Sequence, residues 1–164
     1  MTLTPRESTF VAPFYLHVMG LNAIRVEQDT WGELVRVGRT ADVDDVSWLL
    51  QTSHWRPVVI GAWLSLRLNS HDISKLVLES LLASMGSLTA PALATVAVVH
   101  AGHGAVPALR DSNARGDGAS RVVLDSALMH LGEQPDAPVA SADRARFGLL
   151  LAFAQRLRRE LSED

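Results

Sequence analysis

The segment GAVPALRDSNARGDGASRVVLDSALMHLG, residues 104–132, spells out two short helices and the turn between them. Val106 and Leu109, with the apolar positions before them, form the inward stripe of the first helix, and Gly116, Asp117 and Gly118 break it. Arg121, Ala127, Leu128 and Leu131 then recur at helical spacing until Gly132 closes the unit. A single helix hairpin of this size cannot bury its apolar side alone, so it needs neighbours of the same kind.

Upstream, the chain supplies them. Asp42 caps a segment carrying Val43, Val46, Leu49 and Leu50; Thr52, Ser53 and His54 interrupt it, and Arg56 and Pro57 open a second segment through Val59, Ala62, Trp63 and Leu66. Ser70, His71 and Asp72 start another helix with Ile73, Leu76, Val77, Leu81 and Leu82, which Gly86 stops. Thr89, Ala90 and Pro91 start its partner through Leu93, Ala97 and Val98 to Gly102. The second helices of the pairs open at Arg56, Pro91 and Arg121, 35 and 30 residues apart, which is the spacing of two-helix repeats.

The flanks complete the expectation. Phe10, Val11, Phe14, Tyr15, Val18 and Leu21 read as a docking helix capped by Ser8 and ending near Gly20, while Trp31, Leu34 and Val35 suggest a short helix after Asp29 that Gly32 and Gly38 weaken. Beyond the proline-broken stretch 133–138, Ser141 can cap a last helix carrying Phe147, Leu150, Leu151, Ala154, Leu157 and Leu161. The expected architecture is all-α: one domain over 1–164, with a docking region 1–41, about three helix pairs over 42–132 stacked as a short α-solenoid, and a C-terminal capping helix over 141–161.

In its arginine, small residue, leucines and closing glycine, the 104–132 unit resembles a HEAT repeat. The run Trp55-Arg56-Pro57-Val58-Val59-Ile60-Gly61-Ala62-Trp63, with Leu49-Leu50 before it, Pro91 to Ala94 after it and an early Phe14-Tyr15, also resembles a bacterial family known only as a domain of unknown function, over roughly residues 10–132. That resemblance implies a helical repeat and no particular activity. Where the family has an aromatic and glutamine-rich turn before the last repeat, this chain has Arg115-Gly116-Asp117-Gly118-Ala119-Ser120.

Composition narrows the function classes. With 164 residues and 48% hydrophobic content the chain can bury a sizeable core. A net charge of −3 gives no overall positive field, so general nucleic-acid binding is not expected. No cysteine is present, which removes thiolate chemistry and suits a cytoplasmic protein. The N-terminal residues have no basic stretch leading into an apolar core, and no apolar run is read as approaching a membrane span, so neither export nor membrane insertion is expected. Of the fifteen basic residues only Lys75 is not arginine, a bias of genome composition rather than a binding signal.

Candidate chemistry centres on histidines and tryptophans. His100 and His130 fall nine residues after Pro91 and Arg121, so they occupy equivalent positions on adjacent helices; with His103, or with Asp125 as a carboxylate, they form a candidate metal or hydrolase site. The stronger reading is that histidines near helix ends satisfy the last carbonyls and the helix dipole. Trp48, Trp55 and Trp63 gather in the first pair, where Trp48 and Trp63 read as core and Trp55 as an anchor for a partner. Arg56 is expected to pair with Asp42, Asp44 or Asp45, which otherwise read as the acidic start of a helix. Asp72 reads as a helix cap rather than as a metal ligand with His71, and the arginines of the last helix, interleaved with Glu160, Glu163 and Asp164, read as a solvated face. No phosphate loop, nucleophile elbow, HExxH or dinucleotide fingerprint occurs. The expectation is therefore a noncatalytic protein-binding module, an adaptor or immunity-type inhibitor, without cofactor. Trp55, Arg56, Ser65, His100, Met129 and His130 would face a protein partner, and an incompletely capped end is compatible with a homodimer.

Overall fold

The computed structural model describes residues 3–84 and 86–163; Met1 and Thr2, read above with the N-terminal segment, and Asp164, read with the last helix, lie outside them. Every regular element among the described residues is helical. After a π-type turn at Glu7–Val11 come α1 (Tyr15–Val18), a 3-10 turn at Asn22–Arg25, α2 (Gln28–Gly38), α3 (Val43–Gln51), α4 (Trp55–Ser65), α5 (His71–Ala83) and α6 (Ala90–Ala101). A 3-10 turn at Gly102–Ala105 leads into α7 (Val106–Arg115), followed by α8 (Gly118–His130) and the long α9 (Ser141–Ser162).

Helix starts follow local chemistry. Asp42 and Asp45 form a capping box on α3, Ser70 accepts from the Ile73 N–H at the start of α5, and Asp117 accepts from the Ser120 N–H at the start of α8. Gly102 and Gly132 end their helices with positive φ, 51° and 78°, a conformation that costs a side-chain-bearing residue.

α3 packs on α4, α5 on α6 and α7 on α8; α3, α5 and α7 touch in sequence, and so do α4, α6 and α8. Two layers result, one of first helices and one of second helices. Ser65, in the last turn of α4, meets His100 near the end of α6, while Trp55 and Thr89 line one cleft at the starts of those helices, so α4 and α6 run in the same direction. Within the first layer, Ser80 Oγ donates to the Leu50 carbonyl at 3.0 Å and Ser112 Oγ to the Leu81 carbonyl at 3.0 Å. These two rungs are offset by 31 to 32 residues and repeat one contact between successive pairs.

α9 does not simply follow the last pair; it packs on α6 and α8 and reaches α2, laying a cover over the second layer. Under it, Trp63 is fully buried, with Phe153 edge-on to both Trp63 and Trp31 at 4.8 and 5.3 Å. The indole of Trp63 donates to the Val18 carbonyl at 3.0 Å and that of Trp31 to Glu160 at 2.7 Å. Burial resists ionisation of Glu160, but its bonds from Trp31 and Arg156 outweigh that and hold the carboxyl below its ordinary value.

The N-terminal docking helix is not continuous. Pro13 has no N–H to give a preceding turn, and Gly20 adopts φ 54°, so the segment breaks into turns although Phe10, Val11, Phe14 and Val18 are buried as expected. Trp48 is only partly buried, with the Arg6 guanidinium over its ring. The expectation of no apolar run near membrane length also needs correction. Ala90–Arg115, running through the 3-10 turn, has a window of mean hydropathy 1.4, but that window is 56% buried inside the protein, as a core helix is.

Candidate functional site

The sequence candidates separate into two groups at opposite ends of the second layer. At the start of α4, Trp55 is half-buried and edge-on to Tyr15 at 5.8 Å. The exposed Arg56 lies over both rings, 4.8 and 5.1 Å from their centroids. Arg56 makes no ion pair with Asp42, Asp44 or Asp45: its guanidinium lies over the two rings instead, while Asp42 caps α3 and Asp45 pairs with Arg6 at 2.7 Å. Beside Trp55 a cleft of about 550 Å³ is lined by Thr52, Ser53, His54, Ser84, Ser87 and Thr89 from the two connecting loops.

At the other end, Ser65 is fully buried and cannot meet a partner. Its hydroxyl hydrogen goes to the Ala62 carbonyl at 2.6 Å, so the 3.1 Å contact with His100 Nε2 requires the imidazole to donate. That direction is opposite to the one a base-activated serine needs. Burial and the nearby charge of Arg158 push the His100 pKa down to about 4, against a smaller opposing effect of Ser65, so the ring is neutral at neutral pH.

His130 is exposed, with its ring edge-on to Phe147 at 6.0 Å, and Met129 beside it is half-buried. His103 is exposed on the 3-10 turn. Among the described residues no three histidine, aspartate or glutamate side chains assemble to hold a metal ion. Asp125 is engaged on the α7 side of α8 instead. It is 3% exposed and its Oδ1 accepts from Asn113 Nδ2 at 3.0 Å and from the Asp136 N–H at 2.9 Å. Asn113 Nδ2 also reaches Asp136 Oδ2 at 2.9 Å. A reversed amide would set its oxygen against two carboxylates, so charge fixes the orientation even though Asn113 Oδ1 has no partner. Arg110 closes the cluster with Glu133 at 2.9 Å and Asp136 at 3.5 Å, and Arg121 donates to the Asn113 carbonyl at 3.1 Å. The cluster ties α7, α8 and the 133–138 segment together.

Two depressions meet at His130. One, of about 460 Å³, is lined by Val98 and Val99 of α6, His130, and Leu151, Gln155, Arg158 and Arg159 of α9. The other, of about 230 Å³, is lined by Ser126, Met129 and His130 of α8 and Arg144, Phe147 and Gly148 of α9. Both lie between α9 and the second layer and share only His130 in their linings, a groove in two parts with His130 at the junction. Sequence reasoning misses it by treating the α9 arginines as one face. The signal for it is the series Arg144, Gly148, Leu151, Gln155 and Arg158, spaced by four and three residues, which lies along one side of a helix. Arg146 and Arg156, off that series, pair with Asp143 and Glu160 at 2.7 and 2.8 Å.

The chain matches no protein-family model, and no curated protein or solved structure is significantly similar to it.

Proposed function

We propose that this chain is a noncatalytic, cytoplasmic protein-binding module of HEAT-like helix pairs, acting as a bacterial adaptor or immunity-type inhibitor. The observation that carries this reading is the open groove along α8, into which Met129 and His130 face between rigid helices. The two serine rungs offset by one helix pair support the repeat reading, since a stacked array reuses one contact between neighbours. The Ser65 to His100 contact favours binding over acyl-transfer chemistry, because its proton runs the wrong way for catalysis.

Native mass spectrometry of the tagged protein, purified gently from its own host, tests the reading. A stoichiometric protein partner, a second copy of the chain included, is the expected result. A partner-free chain carrying a metal ion would overturn it.

A further inference from the structure

Three arginines of α9, Arg144, Arg158 and Arg159, line the groove, and among the described residues none of them makes an ion pair with a carboxylate. Arg158 has only a long contact, 3.4 Å, to Asn69 Oδ1. Neither depression has an aspartate or glutamate in its lining, although the chain as a whole carries a net charge of −3. Arg144, Arg158 and Arg159 therefore bring unpaired positive charge to a lining that holds no carboxylate. Arg36 and Arg146 are matched, with Glu33 and Asp143, whereas Arg25 and Arg115, also exposed and without a carboxylate partner among the described residues, line neither depression.

Shape adds to charge. From Arg144 to Arg159 the groove follows about 22 Å of helix, the span of six or seven extended residues. Apolar side chains contribute to its floor beside polar ones, Val99 and Met129 partly exposed and Val98 and Leu151 almost wholly buried, and Gly148 has no atom within 4 Å of where a Cβ would stand, so the groove stays open near its Arg144 end.

We propose that this groove binds an acidic, extended peptide segment of a protein partner, whose carboxylates meet Arg144, Arg158 and Arg159 while its apolar side chains rest on the floor. The proposal rests on the protein-binding reading and names the chemistry of the partner. Guanidinium groups suit carboxylates through paired donors, and the apolar part of the floor suits intervening side chains. Single-stranded nucleic acid is the poorer occupant, because the chain's net charge of −3 gives no wider positive field to follow a phosphate backbone, and of the two rings in the lining Phe147 is buried, leaving only His130 to stack on.

The test is fluorescence anisotropy of a labelled deca-glutamate peptide on the full chain at low salt, with deca-glutamine and an oligothymidine of equal length beside it. The R144Q/R158Q/R159Q variant should lose at least about tenfold in affinity for deca-glutamate, whereas R25Q/R36Q/R115Q, with the same charge change elsewhere, should lose less than about twofold. G148L keeps every charge and fills the groove, and it should weaken binding as well. Equal weakening by both arginine variants, no effect of G148L, no binding of deca-glutamate, or tighter binding of oligothymidine would each overturn the proposal. A host protein that stays bound to the groove variant would leave the protein-binding reading standing and sink the acidic groove alone.

Discussion

α6 and α8 are neighbours in one layer and lie under the same covering helix, yet they are buried to different degrees. α6 is buried without interruption from Ala90 to Val98, with partners in α4, α5, α8 and α9. α8 has α6 and α7 on one side and α9 above, but among the described residues no further helix pair beyond it, and it leaves Arg121, Val122 and His130 exposed. The residues match those places: α6 carries no charged side chain before His100, whereas α8 carries Arg121 and Asp125. A helix enclosed by neighbours specifies the fold, and the last helix of a layer is free to carry a polar cluster on one side and a groove on the other.

That contrast predicts unequal costs for truncation. Leu93→Ala, in the enclosed helix, should lower unfolding stability by about 3 to 4 kcal/mol, because the packed surroundings cannot collapse onto the cavity. Val122→Ala, at a position 40% exposed on α8, should change it by no more than about 0.5 kcal/mol. Urea unfolding measures both, and comparable losses would break the distinction between the two helices.

Each helix also has a polar group shielded from water, His100 partly and Asp125 almost wholly, and the two should respond to different changes. At His100 of α6 the unfolded imidazole takes up its proton near its ordinary value of 6.5, the native one only at about 4. Native stability should therefore be fully present above pH 6.5 and fall as pH drops toward 4, by up to about 3 kcal/mol, and that part of the pH dependence should vanish in H100Q. A flat stability profile between pH 7 and 4 would show that His100 is freely protonated in the native state. At Asp125 of α8 the lever is removal of an acceptor. Asp125→Ala strands the Asn113 amide and the Asp136 N–H, at a cost of about 2 kcal/mol in chemical denaturation, and Asp125→Asn, which keeps an oxygen, should cost less. Equal losses in the two variants would mean that the charge, not the acceptor, holds the 133–138 segment.

The parts of the fold written in local chemistry are legible in the sequence. The cap at Asp42, the start signal at Ser70, the break at Gly116-Asp117-Gly118, the stops at Gly102 and Gly132, and the apolar stripes between them mark helices that form near where the spacing places them. The caps expected at Asp72 and Ser141 do not form, since Ser70 caps α5 and Ser141 is the first residue of α9, with no side-chain cap bond before it. The N-terminal helix is misread because periodic Phe10, Phe14 and Val18 outweigh Pro13, whose missing N–H decides the backbone there. Long-range partners leave little trace. Nothing near Asp45 marks Arg6 rather than Arg56 as its partner, since the choice depends on how the N-terminal turn folds back. The groove is half legible: the spacing of Arg144, Gly148, Leu151, Gln155 and Arg158 gives the α9 side, but the His130 side follows only from where α9 packs.

The smallest expected effect concerns how the two helices begin. α6 opens with Pro91 and has no side chain bonded to its free N–H groups; the Thr89 hydroxyl instead donates to the Gly86 carbonyl at 3.1 Å. α8 depends on Asp117, whose carboxylate accepts from the Ser120 N–H at 2.8 Å, and that backbone bond is the largest cause of its lowered pKa. Asp117→Ala should lower the melting midpoint by about 3 °C at neutral pH. Because the folded-state pKa is depressed, the difference from the parent should be present above the ordinary carboxylate range and disappear as the parent's Asp117 is protonated in acid. Thr89→Ala should show no such acid-dependent difference, since no carboxylate caps α6. A midpoint difference for Asp117→Ala that persists unchanged through strong acid would assign the effect to helix propensity rather than to the charged cap, and the start of α8 would then be held, like that of α6, by its backbone and packing alone.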